Sequence, residues 1–149
     1  KAMETYLDDI VLRIETEKRK TAQLLDGMIQ LNFPNIQSDI LRRWSFGQSV
    51  DGGIIGTYFS DEYRQYKIEL NPLAGGNVDL TLTGSLGEKL NIKKIGKNYQ
   101  IFSEDEKYEK IGKKYGFEEF GLTEEERYLF FEELISFTLE TQLKSIYNG

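Results

Sequence analysis

Gly84-Ser85-Leu86-Gly87-Glu88-Lys89 comes closest to a chemical motif in this sequence. Two glycines ahead of a lysine suggest a phosphate cradle. A P-loop, however, needs four residues between its glycines and a hydroxyl residue directly after the lysine. Here two residues separate Gly84 from Gly87, and Leu90 follows Lys89. Glu88 would repel phosphate, and a dinucleotide fingerprint would need a third glycine. The stretch reads instead as a bend between two strands at Thr83-Gly84-Ser85, where glycine supplies backbone freedom. Carboxylate pairs (Asp8/Asp9, Asp61/Glu62, Asp105/Glu106) are too common to single out two acids at the separation glycoside hydrolysis requires. Ser103-Glu104-Asp105-Glu106 is acidic but lacks the spacing and glycine of a calcium loop. Arg42-Arg43-Trp44 has the residue types to stack on a base, but a core tryptophan flanked by surface arginines is the stronger reading.

Composition points the same way. The 149 residues contain no His and no Cys. That removes the usual general base at neutral pH, the commonest metal ligand and every thiolate site. No cofactor, metal or small-molecule substrate is expected, and no enzymatic activity. No apolar run is long enough to span a membrane, and no signal peptide pattern is visible. Lys1-Ala2 read as tag residues. Residues 1–100 carry 13 acidic and 13 basic side chains, whereas 101–149 carry 12 and 6, so the net charge of −6 lies in the last third. A nucleic-acid contact face usually has the opposite sign. No nucleic-acid partner is expected, and the acidic edge is read as a solvated face or as one meeting a basic neighbour.

The length fits one domain, 1–149. Met3, Leu7, Ile10, Val11, Ile14, Thr21, Leu24, Leu25 and Met28 recur at helical steps, predicting a long first helix. Pro34 ends it by biasing Phe33 away from helix, and a short second helix follows through Trp44. Period-two alternation then predicts about five antiparallel strands: Ile54–Phe59, Tyr66–Leu70, Val78–Leu82, Leu86–Ile92 and Tyr99–Phe102, with a hairpin turn at Gly96-Lys97-Asn98. Asp105–Tyr115 reads as a helix closed by Gly116-Phe117. Thr123 and Glu126 form a capping box for a last helix to about Tyr147. The expected fold is α+β: helices over 3–44, a sheet over 54–102, helices over 105–147. Phe130, Phe131, Leu134, Ile135, Phe137, Leu139 and Leu143 occupy well over half a helical wheel. The last helix is therefore expected to be covered on two sides, one by the sheet and the other by another molecule or, alternatively, by the first helix.

Lys67, Asn71-Pro72-Leu73-Ala74-Gly75, Asp79-Leu80-Thr81-Leu82-Thr83-Gly84-Ser85-Leu86, Lys114-Tyr115-Gly116 and Phe120-Gly121-Leu122-Thr123 together form a further pattern over residues 54–125. It resembles the tail-completion and virion-morphogenesis (head–tail joining) proteins of tailed bacteriophages. The resemblance implies a non-enzymatic structural protein that forms a homo-oligomer or ring, meets other virion proteins, and moves from the bacterial host cytoplasm into the virion. It carries over no catalytic residue. The candidate interface residues are Phe130, Phe131, Leu134, Phe137 and Leu143 on the last helix, Leu7 and Ile14 on the first, and Leu73 in the Asn71–Asn77 loop. Two other readings stay open: a small cytoplasmic adaptor binding one protein partner, and a carboxylate-based hydrolase.

Overall fold

The computed structural model describes residues 2–81 and 83–148, with side chains for 7–81, 83–141, 143, 144 and 148. Lys1 and Leu82 lie outside it, as do the side chains of Ala2, Met3, Ile146 and Tyr147, so expectations resting on them end there. In chain order the elements are α1 (Ala2–Ser45), α2 (Asp61–Leu70), α3 (Ser85–Glu88), β1 (Leu90–Ile95), β2 (Asn98–Ser103), α4 (Tyr108–Tyr115) and α5 (Glu124–Asn148). Single 3-10 turns sit at Pro72–Ala74 and Phe117–Phe120. The class is α+β, with a long N-terminal helix, an antiparallel pair of strands and C-terminal helices. The chain forms two compact units. One runs up to Asn32 and resumes at Leu129; the other is Phe33–Tyr128.

The expected five-strand sheet is corrected to two strands among the described residues. β1 and β2 pair antiparallel, with Leu90 opposite Ser103 and Ile95 opposite Asn98, around the Gly96-Lys97 turn. Ile54–Phe59 is coil with isolated bridges, Gln48 to Ile54 and Thr57 to Asn77. The alternation Tyr66, Ile68, Leu70 lies on helix α2 instead. Ser60 caps that helix by accepting from the Tyr63 amide, and Asp61 and Glu62 fill its first turn, where the helix dipole favours them. Residues 78–81 are coil, and Leu86 falls in the short helix α3 rather than in a strand.

The expected break at Pro34 is also corrected: Pro34 lies inside α1. Proline there removes one helix amide. The burial of Ile36 and Ile40 at helical spacing favours continuing the helix past it.

The Phe33–Tyr128 unit is built around Trp44, which has no exposed surface. Its ring meets Phe120 edge-on at 5.5 Å, and Phe120 in turn meets Tyr108 at 4.7 Å. The indole N–H donates to the Glu119 carbonyl at 3.0 Å, satisfying the polar handle of a buried tryptophan. Arg42 is exposed as expected. Arg43 is not a surface residue: it is buried and donates to the Glu126 carboxylate at 2.7 Å and to the carbonyls of Glu119 and Gly121 at 3.0 and 2.7 Å. Glu126 also accepts from the Thr123 amide, and Thr123 Oγ1 accepts from the Glu126 amide, so the capping box of α5 is formed. Glu119 is buried as well. Its carboxylate accepts from the Ser49 hydroxyl and from the Val50 amide.

Gly84 has φ +75° and precedes α3, whose first turn bonds back to its carbonyl. An added Cβ would meet only Glu88 Oε1, at 3.6 Å, so the cost of a side chain is backbone strain alone. Gly84→Ala is expected to lower stability by about 1–2 kcal/mol. Urea unfolding checks this, and an unchanged midpoint would refute it.

In the other unit, Ile29 and Leu134 are buried. Thr138, one turn after Leu134, is also buried and returns its hydroxyl to the Leu134 carbonyl at 2.8 Å.

Candidate binding cleft

The Phe33–Tyr128 unit holds a cleft of about 530 Å³. Its walls come from four segments: the loop Thr57–Ser60, Tyr63 and Lys67 of α2, Val78–Leu80 and Thr83 with Leu86, and one face of α4 with its cap residue Lys107.

The cleft is anchored by a buried ion pair. Lys67 reaches Asp79 at 2.7 Å, with side chains only 3% and 1% exposed. Such a pair is tolerated only where the remaining lone pairs are filled. Here Asp79 also accepts from Asn71 Nδ2 at 2.9 Å and from the Thr81 amide at 3.2 Å, and Asn71 reaches on to the Ser45 carbonyl. Burial pushes the Asp79 carboxyl up, but the hydrogen bonds from Lys67, Asn71 and Thr81 outweigh it and hold the group below the ordinary carboxylate range. The bond from Thr81 back to Asp79 folds the backbone so that Leu80 takes φ +53°, the one non-glycine residue with positive φ among the described residues. Strain of this kind persists only where surrounding structure over-determines it, and here it lies in the cleft wall.

The aromatic wall is Tyr58, Tyr63, Phe59 and Tyr115. Tyr58 and Tyr63 pack edge to face at 5.0 Å. Burial first, then the Asp79 charge, pushes the Tyr58 phenol above its ordinary value, so it stays a neutral hydroxyl at physiological pH. Phe59 is 99% exposed at the rim. Lys107, the N-cap of α4, and Lys110 and Lys114 within it stand three and four residues apart, which places them on one face. Lys114 Nζ lies 5.0 Å from the Tyr115 ring centre and 5.9 Å from that of Phe59. Lys110 and Lys114 form no ion pair among the described residues. Among the described residues Asp79 is the one carboxylate lining the cleft, and Lys67 holds it. The arrangement is therefore built to hold an apolar or aromatic group beside an anion, with no second acid positioned to work with Asp79.

The candidate interface residues fall elsewhere. Phe130, Phe131, Leu134, Phe137 and Leu143 lie on α5, where Leu134 is buried, Phe130 half-buried and the other three exposed. Leu7 and Ile14 are exposed on α1, and Leu73 is exposed in the Pro72–Ala74 turn of the other unit. The sequence reading missed the cleft. The three-four spacing of Lys107, Lys110 and Lys114 was visible as a cationic face. The aromatic wall was not, because Tyr58 reads as part of a strand and Tyr63 falls between two expected strands rather than on the helix that carries it.

Among the described residues no helix is long and apolar enough to cross a membrane, and no group of three or more acidic, His or Cys side chains is placed to hold a metal ion. Comparison of the chain with protein-family models, with curated proteins and with solved structures finds no match.

Proposed function

We propose that this chain is a non-enzymatic assembly protein of the tailed-phage head–tail joining kind, working as a homo-oligomer or ring that meets other virion proteins. One observation carries the assembly part. Ile135, Leu139 and Leu143 recur at four-residue steps along α5, and each is a little over half exposed. They form an apolar stripe centred about 120° around the helix from the buried Leu134 and Thr138. Leu7, Val11 and Ile14 make a second exposed stripe on α1. Contiguous exposed apolar surface of this kind marks interaction sites. The phage part rests on the sequence pattern across residues 54–125.

The test pairs two substitutions on α5. Leu139→Glu is expected to keep the helical circular dichroism of the parent and to abolish assembly in sedimentation velocity. Leu134→Glu places an unpaired charge in a buried position and is expected to lose several kcal/mol of stability. A parent that stays monomeric at its highest soluble concentration would refute assembly through this stripe. Binding of a single heterologous protein by such a monomer would favour the adaptor reading.

A further inference from the structure

We infer that the lysine-rimmed aromatic cleft receives the acidic, tyrosine-bearing start of α5 from a second copy of the chain. The inference rests on the assembly reading and supplies a specific contact for it.

The receiving side is the cleft described above. Lys107 at the N-cap of α4 and Lys110, Lys113 and Lys114 on it supply four of the six basic residues in 101–149, a stretch otherwise dominated by carboxylates. Three of the four face the cleft, while Lys113 turns to Glu109. The rim is thus a local cationic patch on an acidic chain. Behind it stand aromatic rings that suit a planar side chain.

The donor side is fixed by the other face of α5. Arg43 and the Thr123 cap hold Glu126 inward. At 100° per residue, Glu124 and Tyr128 each lie about 160° around the helix from Glu126, with Glu125 beside them. All three are exposed, Tyr128 among the most exposed aromatic side chains of its unit. The chain therefore presents a tyrosine between two carboxylates, outward and on a rigidly anchored helix end. Among the described residues, none of Glu124–Tyr128 lines the chain's own cleft. Tyrosine between acidic groups is complementary in both charge and shape to an aromatic cleft rimmed by lysines, and tyrosine is a favoured interface anchor. Because cleft and tip are different surfaces, the contact is either exchanged reciprocally in a two-fold dimer or repeated head to tail into a ring or chain.

Charge exchange tests this on the full chain. Lys110→Glu with Lys114→Glu makes the cleft acidic; Glu124→Lys with Glu125→Lys makes the tip basic. All four positions are exposed, so both variants are expected to fold, as circular dichroism will verify. Each double variant alone is expected to associate about a hundredfold more weakly than the parent. An equimolar mixture of the two is expected to regain assembly, because each cleft then meets a tip of opposite charge. Tyr128→Ala is expected to weaken association by about thirtyfold or more, and added salt to weaken the parent. Double variants that assemble like the parent, or a mixture that does not recover, would overturn the cleft–tip contact. If the parent still lost assembly with Leu139→Glu, the assembly reading would survive that result. A monomeric parent would overturn both.

Discussion

Asp79→Ala is expected to remove about 3–5 kcal/mol of folding stability, because it leaves the Lys67 ammonium buried without a counter-charge. That is a large share of the 5–15 kcal/mol typical of a domain. The loss has three parts. Lys67 loses its partner, Asn71 Nδ2 loses one of two acceptors, and the Thr81 amide loses the bond that holds Leu80 at positive φ. Replacing both charges, Lys67→Met with Asp79→Leu, is expected to cost far less than the single change, since neither desolvated charge then remains. The pH dependence has a definite sign. The native Asp79 carboxyl titrates below its unfolded value of about 3.9. Its contribution is whole above that value and is lost as pH falls through the native one. Urea unfolding of the parent is therefore expected to weaken below about pH 4, and the double variant to show a shallower acid slope. Equal acid slopes in the two proteins would remove Asp79 as the cause.

Arg43→Met is the second large effect, again about 3–5 kcal/mol. The guanidinium makes one ionic and two carbonyl hydrogen bonds from a buried position, and these tie the end of α1 to the Phe117–Phe120 turn and the start of α5. Without it, the Glu119 carbonyl keeps Trp44, but the Gly121 carbonyl and the Glu126 carboxylate each lose a donor. Arg43→Lys is not expected to restore stability, because an ammonium cannot reproduce the planar fork that serves three acceptors at once. The neighbouring Arg42→Met provides the control. Arg42 is exposed and is expected to change stability by no more than about 0.5 kcal/mol. Thermal or urea unfolding of the three variants separates these outcomes, and an Arg43→Met protein as stable as Arg42→Met would refute the assignment.

The elements that could be read from sequence were those with local chemistry at their ends. Thr123 and Glu126 announce α5, Gly96-Lys97 announces the hairpin, and Gly116 ends α4. The errors arose where tertiary burial outweighed local pattern. Tyr66, Ile68 and Leu70 alternate like a strand, yet the side chain their helix buries is Lys67, which a hydrophobic pattern cannot flag. The useful signal there was Ser60-Asp61-Glu62, a cap followed by an acidic first turn. Pro34 argued for a helix end, but the residues after it are buried at helical spacing. Arg43 looked like surface because its partners lie more than 70 residues away.

That separation has a consequence in time. The Arg43–Glu126 contact joins positions 83 residues apart. Closing so large a span costs chain entropy before any contact offsets it, whereas a hairpin with a short turn forms in microseconds. On the ribosome the delay is literal. The acceptors of Trp44 and Arg43 do not exist until the chain has grown past Glu126, on the order of ten seconds after Trp44 itself is made. During that interval the end of α1 carries an uncovered tryptophan and an unpaired arginine, so it stays open to premature association until Glu126 is made.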